Sequence, residues 1–254
     1  VIHIPTCMGA VVVAYNLDGV ESLNLSGELI ADIFAGEVKM WNDARIAALN
    51  PGVALPAETI IPVFRSDGSG TTFVFTDYLT KVSPMWKEKY GAGKSVNFPS
   101  GQAAKGNPGV AGVVKQTKNA MGYVGSEYAF AQKIPYAKVM NQRGEIVEPT
   151  AASISAAASG EIPADTRTSI TNSSAAGAYP IATFTWMIIY KEQHYADRSM
   201  EQAIATLDLV KYILSDEAQR ITSEVHYAPL PTKAKELSLA NLKTVTYDGE
   251  AILN

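Results

Sequence analysis

The run RSDGSGT, Arg65 to Thr71, gathers a guanidinium, a carboxylate, hydroxyls and two glycines within seven positions. These residue types suit capture of an oxyanion. A guanidinium offers a planar fork matched to paired oxygens. Hydroxyls add donors, and glycine lets the backbone come close to a ligand. An apolar run (Ile60, Ile61, Val63, Phe64) precedes the turn, and Phe73, Phe75, Tyr78 and Leu79 follow it at helical spacing. The pattern predicts strand, tight turn, helix. Ser69, Gly70 and Thr71 then open the helix, where four N–H groups have no internal partner and roughly half a positive charge accumulates. Such a terminus seats anions, so the candidate contacts are Arg65, Ser69, Gly70 and Thr71. Asp67, two residues beyond Arg65, is placed to orient the guanidinium. The same residues also suit a plain strand-to-helix turn, with Asp67 as an Asx-type residue and Ser69 as N-cap. Arg65 favours the anion reading because it stands at a strand end, where open α/β sheets present ligands.

The elements that must hold this turn alternate between strands and helices. CMGAVVVAYNL is a continuous apolar strand, buried on both faces. Leu29, Ile30, Ile33 and Phe34 form a helical stripe with Ser26 as N-cap. Residues 83–107 read as a glycine-rich loop closing in a helix from about Pro108 to Thr117. AMGYVGSEYAF reads as strand into helix, and TAASISAAAS as a helix of small residues. ATFTWMIIY, Ala182 to Tyr190, predicts an unbroken buried strand. One long amphipathic helix follows from Met200 to Val225, with Ala203, Ile204, Leu207, Val210, Leu214 and Ala218 on one face. YAPLP ends it, and LKTVTYDGEAIL predicts a last strand. The alternation argues for an α/β fold with mainly parallel sheets.

The chain has 254 residues, enough for two lobes. A net charge of −4 gives no global basic field, so neither nucleic acid nor an acidic membrane surface is implied as a partner. The longest apolar run is too short to span a bilayer, so no direct membrane insertion is expected. The given residues show no secretory leader, so the compartment is not read from one. Cys7 is the single cysteine, which excludes an intrachain disulfide; it reads as a buried strand thiol. Several catalytic signatures fail. AGKS at residues 92–95 lacks the first P-loop glycine, which would fall at Glu88, and Phe73 takes the third glycine of a G-x-G-x-x-G. A hydrolase elbow around Ser69 would need glycine at Asp67. His3, His194 and His226 share no metal-ligand spacing, so no metal is expected.

VFRSDGSGTTFVFTDYLTKVSPMW resembles the signature of the periplasmic phosphate-binding proteins of bacterial high-affinity phosphate ABC transporters. IPTCMGAVVVAYNLDGV is similar to that family's hinge-proximal strand, and LIADIFAGEVKMWNDARIAALNP to its next helix and tryptophan loop. KGNPGVAGVV, AMGYVGSEYA and YAPLP continue the resemblance in order over essentially the whole chain.

The resemblance implies a two-lobe, type II-like clamp that closes over inorganic phosphate and delivers it to a membrane permease. It implies a periplasmic or cell-surface location, no cofactor and no catalysis. Arg65 would bind phosphate oxygens bidentately, Ser69 would donate hydroxyl and amide, and Gly70 and Thr71 would donate amides. Asp67 would hold Arg65. The expected division is residues 1–13 as a hinge-proximal remnant of lobe 1, 14–181 as lobe 2, and 182–254 as the C-terminal part of lobe 1. Lobe 1 is expected to be incomplete, because the chain starts after the family's first section, which carries a proton-accepting aspartate. Alternatives are a binding protein for another tetrahedral oxyanion, a phosphate-sensing or adhesive relative, and a phosphate-ester hydrolase using Ser69. The hydrolase would need a general base, and none lies nearby in sequence.

Overall fold

A computed structural model describes residues 1–253. The chain opens with β1 (Ile2–Tyr15), then β2 (Asn24–Leu25), α1 (Gly27–Phe34), α2 (Ala44–Leu49), β3 (Ile61–Arg65) and α3 (Gly70–Val82). Next come α4 (Pro84–Lys89), β4 (Gln102–Ala104), α5 (Gly106–Gln116), β5 (Ala120–Gly125) and α6 (Ser126–Gln132). After β6 (Lys138–Met140), β7 (Ile146–Val147) and α7 (Ala151–Ala156), the chain returns through β8 (Ala182–Ile189). It finishes with α8 (Met200–Ile213), α9 (Asp216–Glu224), α10 (Thr232–Leu242) and the short strands β9 (Thr246–Tyr247) and β10 (Glu250–Ala251).

The main sheet has the order β4-β3-β5-β1-β8. Its long member, β1, has two partners in succession: Ile2 to Ala10 pair with β8, and Val11 to Tyr15 pair with β5. The α/β class holds, but the sheets are mixed rather than mainly parallel. Parallel pairing joins β3 to β4, β3 to β5 and β2 to β6, whereas β1 is antiparallel to both neighbours. The reason is topological. β3 and β5 each feed a helix at the carboxyl end, while β1 enters their sheet from its pairing with β8.

Successive strand residues face opposite sides, and β5 shows what covers each side. Gly122 faces Val110 and Val114 of α5, leaving no room for a side chain. Tyr123 points the other way and stacks on Phe75 of α3, with centroids 4.3 Å apart. Phe34 of α1 meets Phe75 edge-on at 4.9 Å. Trp41, Trp86, Tyr15 and Tyr123 are fully buried in this core.

Four further expectations change. The strand β8 is an edge, not a buried centre: Ile188 is 59% exposed and β1 is its one sheet partner. The long helix divides at Ser215, whose hydroxyl accepts from the Ala218 amide and starts α9. The stretch taken as loop contains α4, capped by Ser83 with Pro84 at its first position, and the short strand β4. The helix α10 follows YAPLP, and the final segment is a hairpin of two short strands. Cys7 lies in β1 beside a register slip between Pro5 and Cys7, and burial pushes its thiol up.

Candidate anion-binding site

The turn between β3 and α3 is anchored from beneath. The Tyr123 hydroxyl accepts from the Arg65 amide at 3.2 Å and pairs with the Thr72 hydroxyl at 2.8 Å. The aromatic stack in the core therefore sets where β3 ends and α3 begins. Ser66 donates its amide to Ala104 of β4 at 3.0 Å. Ser69, only 3% exposed, is the N-cap, and its hydroxyl accepts from the Thr72 amide at 3.2 Å. The Ser69 carbonyl accepts from the Phe73 amide at 3.0 Å.

These bonds leave the first two helical amides free. Neither Gly70 nor Thr71 donates its backbone N–H to any protein group among the described residues. They are the first two of the 13 residues of α3, so the positive end of its dipole is unneutralised by protein. No acidic residue occupies the first turn of α3. Space is available too, since a methyl group at Gly70 would meet nothing within 4 Å. Gly70 and Thr71 line a cleft of about 420 Å3 together with Thr183 to Trp186 of β8.

Arg65, at the end of β3, does not line this cleft and is fixed by its own hydrogen bonds. Its Nε and Nη2 donate to the two oxygens of Asp67 at 2.8 and 2.6 Å, and Nη1 donates to Asn107 Oδ1 at 3.1 Å. Three of its five N–H donors are thus engaged, and two remain. The Asp67 carboxylate also accepts from the Gly106 amide at 3.0 Å, tying the turn to the start of α5. The bond from Arg65, with Gly106 second, holds Asp67 well below the usual carboxylate range. The reciprocal bond to Asp67 raises the Arg65 guanidinium further, so it is charged at any physiological pH.

The structure therefore brings Arg65, Asp67, Ser69, Gly70 and Thr71 together, but not equally. Gly70 and Thr71 line the cleft, whereas Arg65 and Ser69 are not among its lining residues. The Ser69 amide donates to the Lys94 carbonyl at 2.9 Å, so only the Ser69 hydroxyl is left for a ligand. Two cleft residues carry no signal in their local sequence. Asn107 connects Arg65 to the cleft, and Glu127 is the one carboxylate among the lining residues. Burial raises the Glu127 carboxyl.

His194 bonds to Asp248 and stacks on Tyr247, and His226 meets Phe130 edge-on, so both have packing roles. Among the described residues, no group of three or more histidine, cysteine or acidic side chains could hold a metal ion. No described helix is long and apolar enough to cross a membrane.

Comparison with known proteins adds a family to this geometry. Residues 1–217 match the model of the PBP superfamily domain. The phosphate-binding protein PstS of Xylella fastidiosa (strain Temecula1) is 44% identical over 232 residues, covering 89% of this chain and 62% of that protein. PstS of Methanocaldococcus jannaschii is 38% identical, covering 94% of the chain and 66% of the relative. PstS of Pasteurella multocida is 38% identical, with 96% and 71% covered. The chain thus spans less than two thirds of the length of the first two relatives. Among solved structures, a periplasmic phosphate-binding protein (PfluDING) bound with phosphate superposes with a TM-score of 0.73. It is 21% identical and covers 94% of this chain and 70% of its own. The phosphate-binding protein of Stenotrophomonas maltophilia gives 0.70 at 19% identity, with 99% and 73% covered.

Proposed function

Because the chain belongs to the PBP superfamily, among its phosphate-binding proteins, we propose that it captures inorganic phosphate and hands it to the permease of a phosphate ABC transporter. The observation that carries this reading is the pair of unpartnered amides, Gly70 and Thr71, at the start of α3 and facing the cleft. The site residues are Arg65, Ser69, Gly70 and Thr71. Gly70 and Thr71 donate N–H groups, Ser69 its hydroxyl, and Arg65 the two donors left free by Asp67 and Asn107. Asp67 acts through Arg65, fixing the fork that would otherwise need ordering when phosphate arrives. Capture takes place outside the cytoplasmic membrane, in the periplasm or at the cell surface.

Residues 14–181 form the lobe carrying the RSDGSGT turn, with 1–13 and 182–254 on the other side of the cleft. The division follows β1, which exchanges its β8 partner for β5 near this boundary. The protein performs no chemistry on its ligand. Ser69 is a poor nucleophile because its hydroxyl caps α3, and among the described residues no histidine or lysine side chain hydrogen-bonds to it.

Calorimetric titration of the intact protein with phosphate, sulfate and molybdate tests the proposal. It predicts saturable phosphate binding at one site, with sulfate and molybdate weaker. Tighter binding of either other oxyanion would redirect the ligand assignment, and turnover of a phosphate ester would overturn the non-catalytic reading.

A further inference from the structure

The face of α3 that begins with the anion seat continues as apolar surface. Gly70, Phe73, Val74 and Asp77 follow one another at helical spacing, so they share one face of the helix. At 1.5 Å per residue that face runs about 10 Å from Gly70 to Asp77. It opens with the unpartnered Gly70 amide, passes two apolar side chains and closes on a carboxylate. Phe73 is left 45% exposed, and Val74 is half-buried.

Two chambers meet on this face. The cleft of about 420 Å3 lined by Gly70 and Thr71 is also lined by Phe73, Val74, Thr183 and Trp186. The same four residues line a second chamber of about 340 Å3, which extends to Asp77 and Arg167. Both volumes fall within the roughly 300–1,000 Å3 of small-molecule sites. Hydrogen bonds and ring contacts fix the second chamber. Trp186 Nε1 donates to the Thr166 carbonyl at 3.3 Å, and its ring meets Phe184 edge-on at 5.7 Å. Thr166 is buried, and its hydroxyl donates to the His3 carbonyl of β1 at 2.7 Å. At the far end, Asp77 accepts from the Ser169 and Thr171 hydroxyls at 2.6 and 2.5 Å and lies 3.1 Å from Lys81. Arg167 pairs with Asp165 at 2.8 Å. The carboxylate and the guanidinium that line this chamber therefore both have partners already. What the chamber offers a ligand is aromatic and aliphatic surface.

We infer that the seat also takes organic phosphate monoesters whose alcohol part is compact, uncharged and apolar. The phosphoryl oxygens accept from the Gly70 and Thr71 amides, and the apolar group rests on Phe73, Val74 and Trp186. This inference rests on the anion seat proposed above. A monoester keeps the anionic phosphoryl oxygens that the amides need. Helix side chains tilt towards the N-terminus, so Phe73 and Val74 lean towards the seated anion and meet the group it carries. Inorganic phosphate has no apolar part and gains nothing from this surface. The ester is held intact, without bond cleavage.

The test compares inorganic phosphate, methyl phosphate and phenyl phosphate by calorimetry on the intact protein. The two esters carry the same phosphoryl group, so their affinity ratio reads the contribution of the ring. Phenyl phosphate is expected to bind roughly tenfold tighter than methyl phosphate, the scale of burying one apolar side chain. Phe73→Ala truncates an exposed side chain and spares the core. It is expected to lower that ratio by about threefold or more, while methyl phosphate stays within about twofold. In a 1H–15N spectrum, phenyl phosphate should move the Trp186 indole resonance well beyond any shift caused by methyl phosphate. The indoles of Trp41 and Trp86, both fully buried, are the internal references. Esters that bind within about twofold of each other, a ratio unchanged by Phe73→Ala, or a stationary Trp186 indole would overturn the inference, even with inorganic phosphate bound. Failure of inorganic phosphate alone, with the ester ratio as expected, would remove the transport reading and keep the apolar subsite. No binding of any of the three would remove both.

Discussion

Gly70→Pro separates the donor from the helix it begins. Position 70 is the first residue of α3, where proline is favoured because its absent N–H would be unpaired anyway. Ser69 has φ −137° and ψ 132°, the extended conformation that a residue before proline requires. No protein group accepts the Gly70 amide among the described residues, and the space beyond Cα is open for 4 Å. Folding therefore loses nothing, and restricting the unfolded chain should stabilise by about 0.4–1 kcal/mol. Phosphate loses one charge-assisted bond, about 1.5–3 kcal/mol. That corresponds to roughly 10- to 150-fold in affinity. Gly70→Ala is the control, because it keeps the N–H and adds a methyl group into open space. The assay is calorimetric titration with phosphate beside a thermal melt of each variant. Equal losses in the proline and alanine variants would assign the effect to bulk. A folded G70P protein binding phosphate within about twofold of the unsubstituted chain would refute an anion seated on this amide.

Three other substitutions follow from the same geometry. Arg65→Ala should weaken phosphate binding by roughly tenfold or more, and Arg65→Lys should recover only part of it, because an ammonium lacks the fork that spans Asp67 and Asn107; calorimetry reads both. Gly122→Ala places a methyl group 2.8 Å from Val114 Cγ2 and 3.0 Å from Val110 Cγ1, so stability should fall by about 1–3 kcal/mol in denaturant titration. Glu192 accepts from the amides of His194, Asp248 and Gly249 and from the Thr246 hydroxyl, which lower its pKa from 4.5 to about 2. A depressed carboxyl contributes stability that is full above pH 4.5 and lost as pH falls towards 2. The stability gap between the unsubstituted protein and Glu192→Gln should therefore narrow across that window in acid melts.

What the sequence discloses is what nearest neighbours decide. The β3–α3 turn is legible because strand, cap and helix are contiguous from Ile61 to Val82 and each follows local rules, with Ser69 as cap and Arg65 at a strand end. The stripe of α1 and its Ser26 cap are legible for the same reason. Strand β8 misleads because β-branched and aromatic residues favour strands without telling an edge from a centre. The division at Ser215 escapes an apolar period that runs through Leu214 to Ala218, although serine followed by two acidic residues is a helix-start signal. Asn107, Glu127 and the commitment of the Ser69 amide to Lys94 are tertiary facts. Each depends on which loops meet, and nothing near them in the chain records that meeting.

The seat itself can be observed amide by amide. In a 1H–15N correlation spectrum of the assigned protein, added phosphate should move the Gly70 and Thr71 resonances downfield together, saturating at one equivalent. The Ser69 amide, already bonded to Lys94, should move much less. If phosphate binds while the Gly70 and Thr71 amides stay in place, the anion lies elsewhere and the α3 terminus is not its site.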